Sequence, residues 1–255
     1  MKRISIVGLC LAAVFAFSAG AASSASAAPL LLLAQPRGGG SIAGVTFLSE
    51  TTLAPQLSTH GGHLIDCTHA TNFGKFLSST LGDVLIRFLN CKSLNPELEC
   101  QTAGAGKGEI HLPLATTVFH LGLAHLTITE GRIPAIVILL EKDVLINCGN
   151  GLATILVLGS VIGALKLDTG NHGPIPLNAP FSTALLDFEQ IAHGLQHLRL
   201  FLFEHELRTY DLDALITEAI GGTKPLELAA EDTIVLLSHF LLPSGKENEI
   251  ELIEH

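Results

Sequence analysis

The sequence has no tryptophan and one tyrosine, Tyr210, so phenylalanine supplies almost all of its aromatic side chains. Sugar-binding surfaces usually depend on tryptophan and tyrosine, because these rings stack on a pyranose face while their polar ends form hydrogen bonds. Phenylalanine lacks the polar end and is more often buried in a core. The composition therefore disfavours an ordinary carbohydrate-binding module.

Charged residues are also scarce. They make up 15% of the 255-residue chain, and the formal net charge at pH 7 is −10. An acidic protein repels phosphate backbones and anionic lipid headgroups. We therefore expect no nucleic-acid partner and no attachment to an acidic membrane surface.

Beyond its N-terminal segment, the chain lacks a long apolar run. The longest uncharged apolar run, residues 152–165, has 14 residues and includes two glycines. A membrane-spanning helix needs about 20 apolar residues, so the sequence predicts no transmembrane span in the mature chain. The mean hydropathy of +0.48 nevertheless leaves open a membrane-associated or self-assembling surface protein.

The N-terminus has the features of an export signal. Lys2 and Arg3 precede the apolar residues 4–17, and the small residues 25–27 follow. This order is typical of a secretory signal peptide. Cleavage after residue 27 leaves 228 residues and, because Lys2 and Arg3 are removed, a net charge of −12 instead of −10. We expect a protein that is secreted or held in the cell envelope.

The cysteines fit this location. Cys10 is removed with the signal peptide, and four cysteines remain, namely Cys67, Cys91, Cys100 and Cys148. An even number of cysteines in an oxidising compartment predicts two disulfides, which allow three connectivities. A zinc site is the alternative. Zinc sites usually contain pairs of cysteines with two residues between them, and the chain has no such pair.

The spacing favours one of the three connectivities. Cys91 and Cys100 flank residues 92–99, which contain the turn formers asparagine and proline. A local bridge between them is the preferred interpretation, and Cys67 then pairs with Cys148.

Short β-like segments separated by glycine and proline turns follow from residue 44 to the C-terminus. The pattern predicts an all-β protein of about a dozen short strands, a β-sandwich or barrel-like domain. We expect a signal peptide over residues 1–27, a flexible lead-in over residues 28–43 and a single domain over residues 44–255. A competing helical composition occurs within residues 185–216.

Eight short motifs between residues 58 and 240 occur in a characteristic order. They are Gly61-Gly62 ahead of Cys67, GKF at 74–76, FLNCKS at 88–93, GAGKGEI at 104–110 after Cys100, GSVIG at 159–163 after Cys148, FEQ at 188–190, IGG at 220–222 and EDT at 231–233. In this order they resemble an uncharacterised family of secreted, β-rich bacterial proteins with two disulfides, chiefly from high-GC soil bacteria. The resemblance implies an all-β fold and no known activity. This chain departs from that family by carrying leucine, isoleucine or histidine at many positions where polar residues are usual.

Three histidines surround Cys67 and raise the question of a metal site. They are His60, His63 and His69. Imidazoles at this spacing can share a metal ion if the chain turns between them. The favoured interpretation is that Cys67 is disulfide-bonded and the histidines are exposed, so we expect no metal and no cofactor.

Two catalytic patterns are incomplete. His193 and His197 have the spacing of zincin ligands, but Gly194 replaces the glutamate that such sites use as a base. The glycine-rich segment after Cys100 is not a phosphate-binding loop, because Gln101 and Gly108 occupy its required glycine and serine or threonine positions. The sequence also has no G-x-S-x-G elbow, so we assign no catalytic residue.

The sequence therefore predicts an exported, non-catalytic structural or binding module with an extracellular or envelope partner. The alternative is an extracellular hydrolase that uses an unrecognised carboxylate or histidine-metal site. The hydrolase predicts a cleft with converging histidine or carboxylate side chains. The module predicts instead an exposed apolar face.

Overall fold

The computed structural model of this protein is built from strands, and its described residues contain no helix. The structure describes residues 32–51, 54–59, 64–94, 96–114, 116–125, 132–168, 173–187, 190–191, 195–196, 200–203, 206–209, 216–219, 222–227, 233–236 and 249–254. The expected all-β class and the two disulfides are confirmed. A helix long and apolar enough to cross a membrane is not found in these residues.

The described residues form 22 strands, more than the dozen expected. They are β1 (Leu32–Pro36), β2 (Thr46–Thr51), β3 (Gln56–Thr59), β4 (Leu64–Asp66), β5 (His69–Phe76), β6 (Leu81–Leu89), β7 (Lys92–Leu94), β8 (Glu97–Thr102), β9 (Ile110–Leu112), β10 (Thr117–His125), β11 (Arg132–Cys148), β12 (Ala153–Lys166), β13 (Pro180–Phe181), β14 (Ala184–Asp187), β15 (Gln190–Ile191), β16 (Leu195–Gln196), β17 (Leu200–Phe203), β18 (Glu206–Thr209), β19 (Ile216–Ala219), β20 (Gly222–Glu227), β21 (Thr233–Leu236) and β22 (Ile250–Glu254). The signal peptide expected over residues 1–27 lies outside the described residues.

Antiparallel ladders join 17 of these strands into one sheet system. One route runs through β21, β2, β5, β6, β10, β11, β12 and β14, and β14 pairs with β21 again. A second route leaves β11 through β8, β7, β4, β3, β20 and β19 and returns to β12. The two routes share β11 and β12, so these long strands belong to both.

Alternating burial defines the inner faces of β2, β5 and β6. Successive side chains of a strand point to opposite faces of the sheet. The inward residues of β5 are Ala70, Asn72, Gly74 and Phe76, all buried, while the residues between them are exposed or half-buried. One face of these strands is therefore a core face, and it contains the polar residue Asn72.

Strand β11 runs without a break from Arg132 to Cys148. Its register with β12 shifts between Leu140 and Val144. The three charged residues between those positions, 141–143, are exposed. A bulge of this kind lets a strand turn extra residues to solvent while both flanks remain paired.

The segment expected to be a lead-in, residues 28–43, contains strand β1, which pairs along its whole length with β22 near the C-terminus. Leu32 and Ala34 are each only 1% exposed. Arg37, just after the strand, forms an exposed ion pair with Glu249. Burial and pairing therefore fix this part of the lead-in against the C-terminal strand.

The disulfides join Cys67 to Cys91 and Cys100 to Cys148. The preferred sequence-based connectivity, Cys91 with Cys100 and Cys67 with Cys148, is therefore wrong. The turn that motivated it is present, because β7 and β8 form a hairpin in which Lys92 is opposite Glu99. The backbone N–H of Cys100 donates to the carbonyl oxygen of Cys91 at 2.9 Å.

The error arose because each cysteine of this hairpin also borders a third strand. Cys100 is directly opposite Cys148 in the register of β8 with β11. Cys67 directly follows β4, whose last residue, Asp66, pairs with Lys92. The bridges therefore run outward from the hairpin, and each joins it to a strand that is distant in sequence.

Candidate ligand-binding cavity

An apolar cavity of about 100 Å³ lies among the inner faces of β3 to β6, β9, β11 and β12. Most of its described lining residues are aliphatic, including Ile65, Ile86, Ile110, Ile138, Ile146 and Val157. None of the described lining residues is aspartate, glutamate, lysine, arginine or histidine. The cavity is therefore suited to an uncharged apolar occupant.

Asn72 is a polar residue in this apolar wall. Its side chain is 4% exposed, and neither Nδ2 nor Oδ1 has a hydrogen-bond partner. A buried polar group without a partner costs about 1–3 kcal/mol in proteins. Thr51, which also lines the cavity, is different because its Oγ1 accepts a hydrogen bond from the Ala70 N–H at 2.8 Å.

A second, smaller void of about 30 Å³ also borders Asn72. Ser49, directly opposite Asn72 in the β2–β5 ladder, also lines it, and its buried Oγ has no partner. Directly opposite residues on antiparallel strands have Cβ atoms about 4.5–5.5 Å apart. Unused donors and acceptors from two strands therefore face a common space.

Phe47 and Phe119 line the smaller void, and a third ring packs against both. Phe47, Phe76 and Phe119 pack edge to face, with ring centroids 5.3–6.0 Å apart. The rings lie against two glycines, because a Cβ atom on Gly74 would come 2.2 Å from the Phe47 ring, and one on Gly82 would come 2.2 Å from the Phe119 ring. The glycines thus let a rigid aromatic wall lie directly on the backbone of β5 and β6.

One disulfide forms part of the cavity wall. Cys67 lines the cavity, is 6% exposed, and is bonded to the fully buried Cys91. This bridge ties the end of β4 to the loop before β7. The cavity wall is therefore covalently fixed at this point rather than held by packing alone.

The described ionisable groups with shifted pKa values lie away from the cavity. Lys92 Nζ donates to Glu97 Oε1 at 2.8 Å on the exposed face of the β7–β8 hairpin. This hydrogen bond, together with the attraction between the two charges, raises the pKa of Lys92 and lowers the pKa of Glu97 from their usual values. Because neither residue lines the cavity, the pair belongs to the hairpin surface.

Of the cysteines and histidines that the sequence singled out, the structure describes the four cysteines and His69. The four cysteines come together as two disulfides. His69 is half-buried, and its Nε2 lies 3.9 Å from Glu50 Oε2. Within the described part of the chain, no three histidine, cysteine, aspartate or glutamate side chains are placed to hold a metal ion. The other candidate histidines, His60, His63, His193 and His197, lie outside the described residues.

Sequence reasoning missed Asn72 and Ser49. A signal was present, because the inward positions of residues 69–76 read alanine, asparagine, glycine and phenylalanine. A single asparagine in an otherwise apolar alternating row indicates a buried polar group. Detecting it required knowing which alternate positions of the strand face the core. Residues 69–76 alone do not show this, because the pairing with the neighbouring strands decides it.

The outer face of strands β2 and β5 carries exposed apolar side chains. Leu48 on β2 is 46% exposed and lies directly opposite Phe73 on β5, which is 37% exposed. Such cross-strand pairs contribute to sheet stability even on the solvent side. An apolar pair of this size is also compatible with a surface that contacts a partner.

Comparison with known proteins gives no match, whether to a family model, a curated protein or a solved structure. The resemblance to secreted β-rich bacterial proteins stays a prediction. The site is therefore interpreted from its own residues.

Proposed function

We propose that this protein is an exported, non-catalytic binding module of the cell envelope or extracellular space, and that its interior cavity takes a small apolar molecule. The observation that carries the proposal is the cavity of about 100 Å³, whose described lining is aliphatic and free of ionisable groups. Catalysis by general acid–base or metal chemistry needs such groups beside the substrate. The cavity offers shape and apolar surface, which are the means of a binding site.

The two disulfides support the location. They close loops between cysteines 24 and 48 residues apart in sequence. In the chain-entropy account, bridges over loops of this size contribute about 3–4 kcal/mol each. Such bridges persist in oxidising compartments, so they are compatible with the export that the N-terminal sequence predicts.

The size of the cavity limits the ligand. An engineered protein cavity of about 150 Å³ holds benzene, which has six heavy atoms. A cavity of about 100 Å³ therefore suits a branched molecule of about five heavy atoms, and 2-methylbutane is an appropriate probe.

The test is a titration of the exported protein with 2-methylbutane, followed by the methyl ¹³C chemical shifts of its isoleucines. We expect saturable shifts at the lining residues Ile65, Ile138 and Ile146. Isoleucines that do not line the cavity, such as the buried Ile42 and Ile175, provide the internal comparison. No saturable shift at the lining residues would overturn the proposal.

A matched pair of variants locates the binding. Ala70 lines the cavity and is 1% exposed, whereas Ala43 is exposed. Ala70→Leu adds three carbon atoms to the cavity and is expected to abolish the shifts at Ile138 and Ile146. Ala43→Leu makes the same change on the surface and is expected to leave the titration unchanged. Equal binding by both variants would place the ligand elsewhere.

A further inference from the structure

We infer that the ligand has an uncharged polar end that carries both a hydrogen-bond donor and an acceptor, and that Asn72 recognises this end; the inference rests on the proposed binding function. The chemical classes that fit are a short carboxamide, a protonated carboxylic acid or an alcohol. The apolar remainder of the molecule occupies the cavity of about 100 Å³.

The unused hydrogen-bonding atoms of Asn72 carry the inference. Its amide borders both the cavity and the smaller void, and both of its terminal atoms are buried without a partner. A primary amide supplies two donors and an acceptor. A ligand group that only donates or only accepts hydrogen bonds would leave either the Nδ2 donors or the Oδ1 acceptor of Asn72 unpaired. The conclusion is the same for either orientation of the amide, because neither terminal atom is engaged.

The surroundings of Asn72 exclude a charged end. The described lining residues of the cavity and of the smaller void include no lysine, arginine, histidine, aspartate or glutamate. Bringing an unpaired carboxylate or ammonium group into such a site is far more costly than bringing in a neutral polar group. A carboxylate or an amine in its ionised form is therefore rejected.

Ser49 gives the polar end a second contact. Its Oγ borders the smaller void opposite Asn72 and is also buried without a partner. The void of about 30 Å³ has room for a water molecule, because about 10–15 Å³ of accessible space is enough to hold one. The polar end either reaches Ser49 directly or does so through one ordered water, while the Asn72 contact is direct in both arrangements.

The test compares three molecules that share a five-atom branched skeleton: 2-methylbutane, propanamide and propanoate. Each is titrated into the wild-type protein and into Asn72→Leu, with the Ile138 and Ile146 methyl shifts as the readout. Losing one well-formed hydrogen bond weakens binding by about tenfold. We expect Asn72→Leu to lower the affinity for propanamide by about this factor. The affinity for 2-methylbutane should stay equal or rise. We expect propanoate to bind neither protein.

A second measurement needs no variant. The Asn72 side-chain ¹⁵NH₂ resonances of the wild-type protein should shift on addition of propanamide and remain in place on addition of 2-methylbutane. Asn90, whose Nδ2 donates to Thr68 Oγ1 at 3.0 Å on the surface, provides a side-chain amide that neither compound should affect.

The outcomes separate the two proposals. If 2-methylbutane binds but Asn72→Leu changes the affinity for both neutral compounds equally, Asn72 does not recognise a polar end of the ligand. The proposed binding function then still stands. If propanoate binds as well as propanamide, the rejection of charge is wrong. If 2-methylbutane does not bind, the proposed binding function itself is overturned.

Discussion

Asn72 is the residue at which stability and the proposed function conflict. Its amide occupies an inward position of β5 between the buried Ala70 and Gly74. An interior selected only for stability would place an aliphatic side chain there, because burying an unpaired amide opposes folding. Local departures from such rules are found most often at functional sites. This is why a single asparagine has more weight here than the many histidines of the sequence.

Replacing this amide tests the conflict directly. Asn72→Leu keeps roughly the same shape and removes the unpaired donor and acceptor, so we expect the free energy of unfolding to rise by about 1–2 kcal/mol. Chemical denaturation of the ligand-free protein measures the change. Asn147→Leu is the control, because the Asn147 Oδ1 accepts a hydrogen bond from the Thr154 hydroxyl at 3.2 Å. That variant should lose stability, and an equal loss in both would show that Asn72 is satisfied.

At the scale of elements, the neighbouring strands β5 and β6 pack closely against aromatic rings because two of their glycines have no side chain. Gly74 and Gly82 leave room for the rings of Phe47 and Phe119. Glycine ordinarily weakens a strand interior, and its use here marks a close approach to the backbone. The aromatic wall beside the smaller void depends on this arrangement.

Adding one methyl group at Gly74 should disturb that wall. In Gly74→Ala the new Cβ would lie 2.2 Å from the Phe47 ring and 2.8 Å from the carbonyl oxygen of Asp83. The ring is held against Phe76 and Phe119 and has little room to move, so we expect a loss of about 1–3 kcal/mol in the free energy of unfolding.

The matched control for this change is Gly173→Ala. Gly173 is half-buried, but a Cβ there would have no atom within 4 Å, and a substitution that meets no neighbour is expected to change stability by less than about 0.5 kcal/mol. Thermal or chemical denaturation compares the two variants. Similar stability of both would contradict the packing described for the aromatic wall.

Local features of the elements were predictable from sequence. The turn at residues 149–151 follows from its Gly-Asn-Gly sequence, and all three residues adopt positive φ angles in the turn between β11 and β12. The hairpin of β7 and β8 was likewise indicated by its asparagine and proline. Both depend on backbone preferences of a few consecutive residues.

Features set by distant strands were not predictable. Cys100 is bonded to Cys148 because β8 lies beside β11, and no local pattern specifies that neighbour. The inward phase of Asn72 is likewise fixed by the ladders of β5 with β2 and β6. A shift of one residue would turn it outward, so its role became visible only with the register.

At the scale of the whole molecule, the two disulfides join the hairpin of β7 and β8 to strands on both sides. Cys91 connects it to Cys67 in the cavity wall, and Cys100 connects it to Cys148 at the end of β11. The first bond fixes the cavity wall, and both bonds are compatible with the expected export. The pairing of the four cysteines is therefore the feature on which the account of this protein depends.

A non-reducing tryptic map of the exported protein tests that pairing most directly. Cleavage after Lys75, Arg87, Lys92, Lys107 and Lys142 places the four cysteines in four different peptides, so every possible bridge gives a distinct mass. We predict one linked pair containing Cys67 and Cys91 and another containing Cys100 and Cys148. A peptide that joins Cys91 to Cys100, or four free thiols in the native protein, would contradict the account.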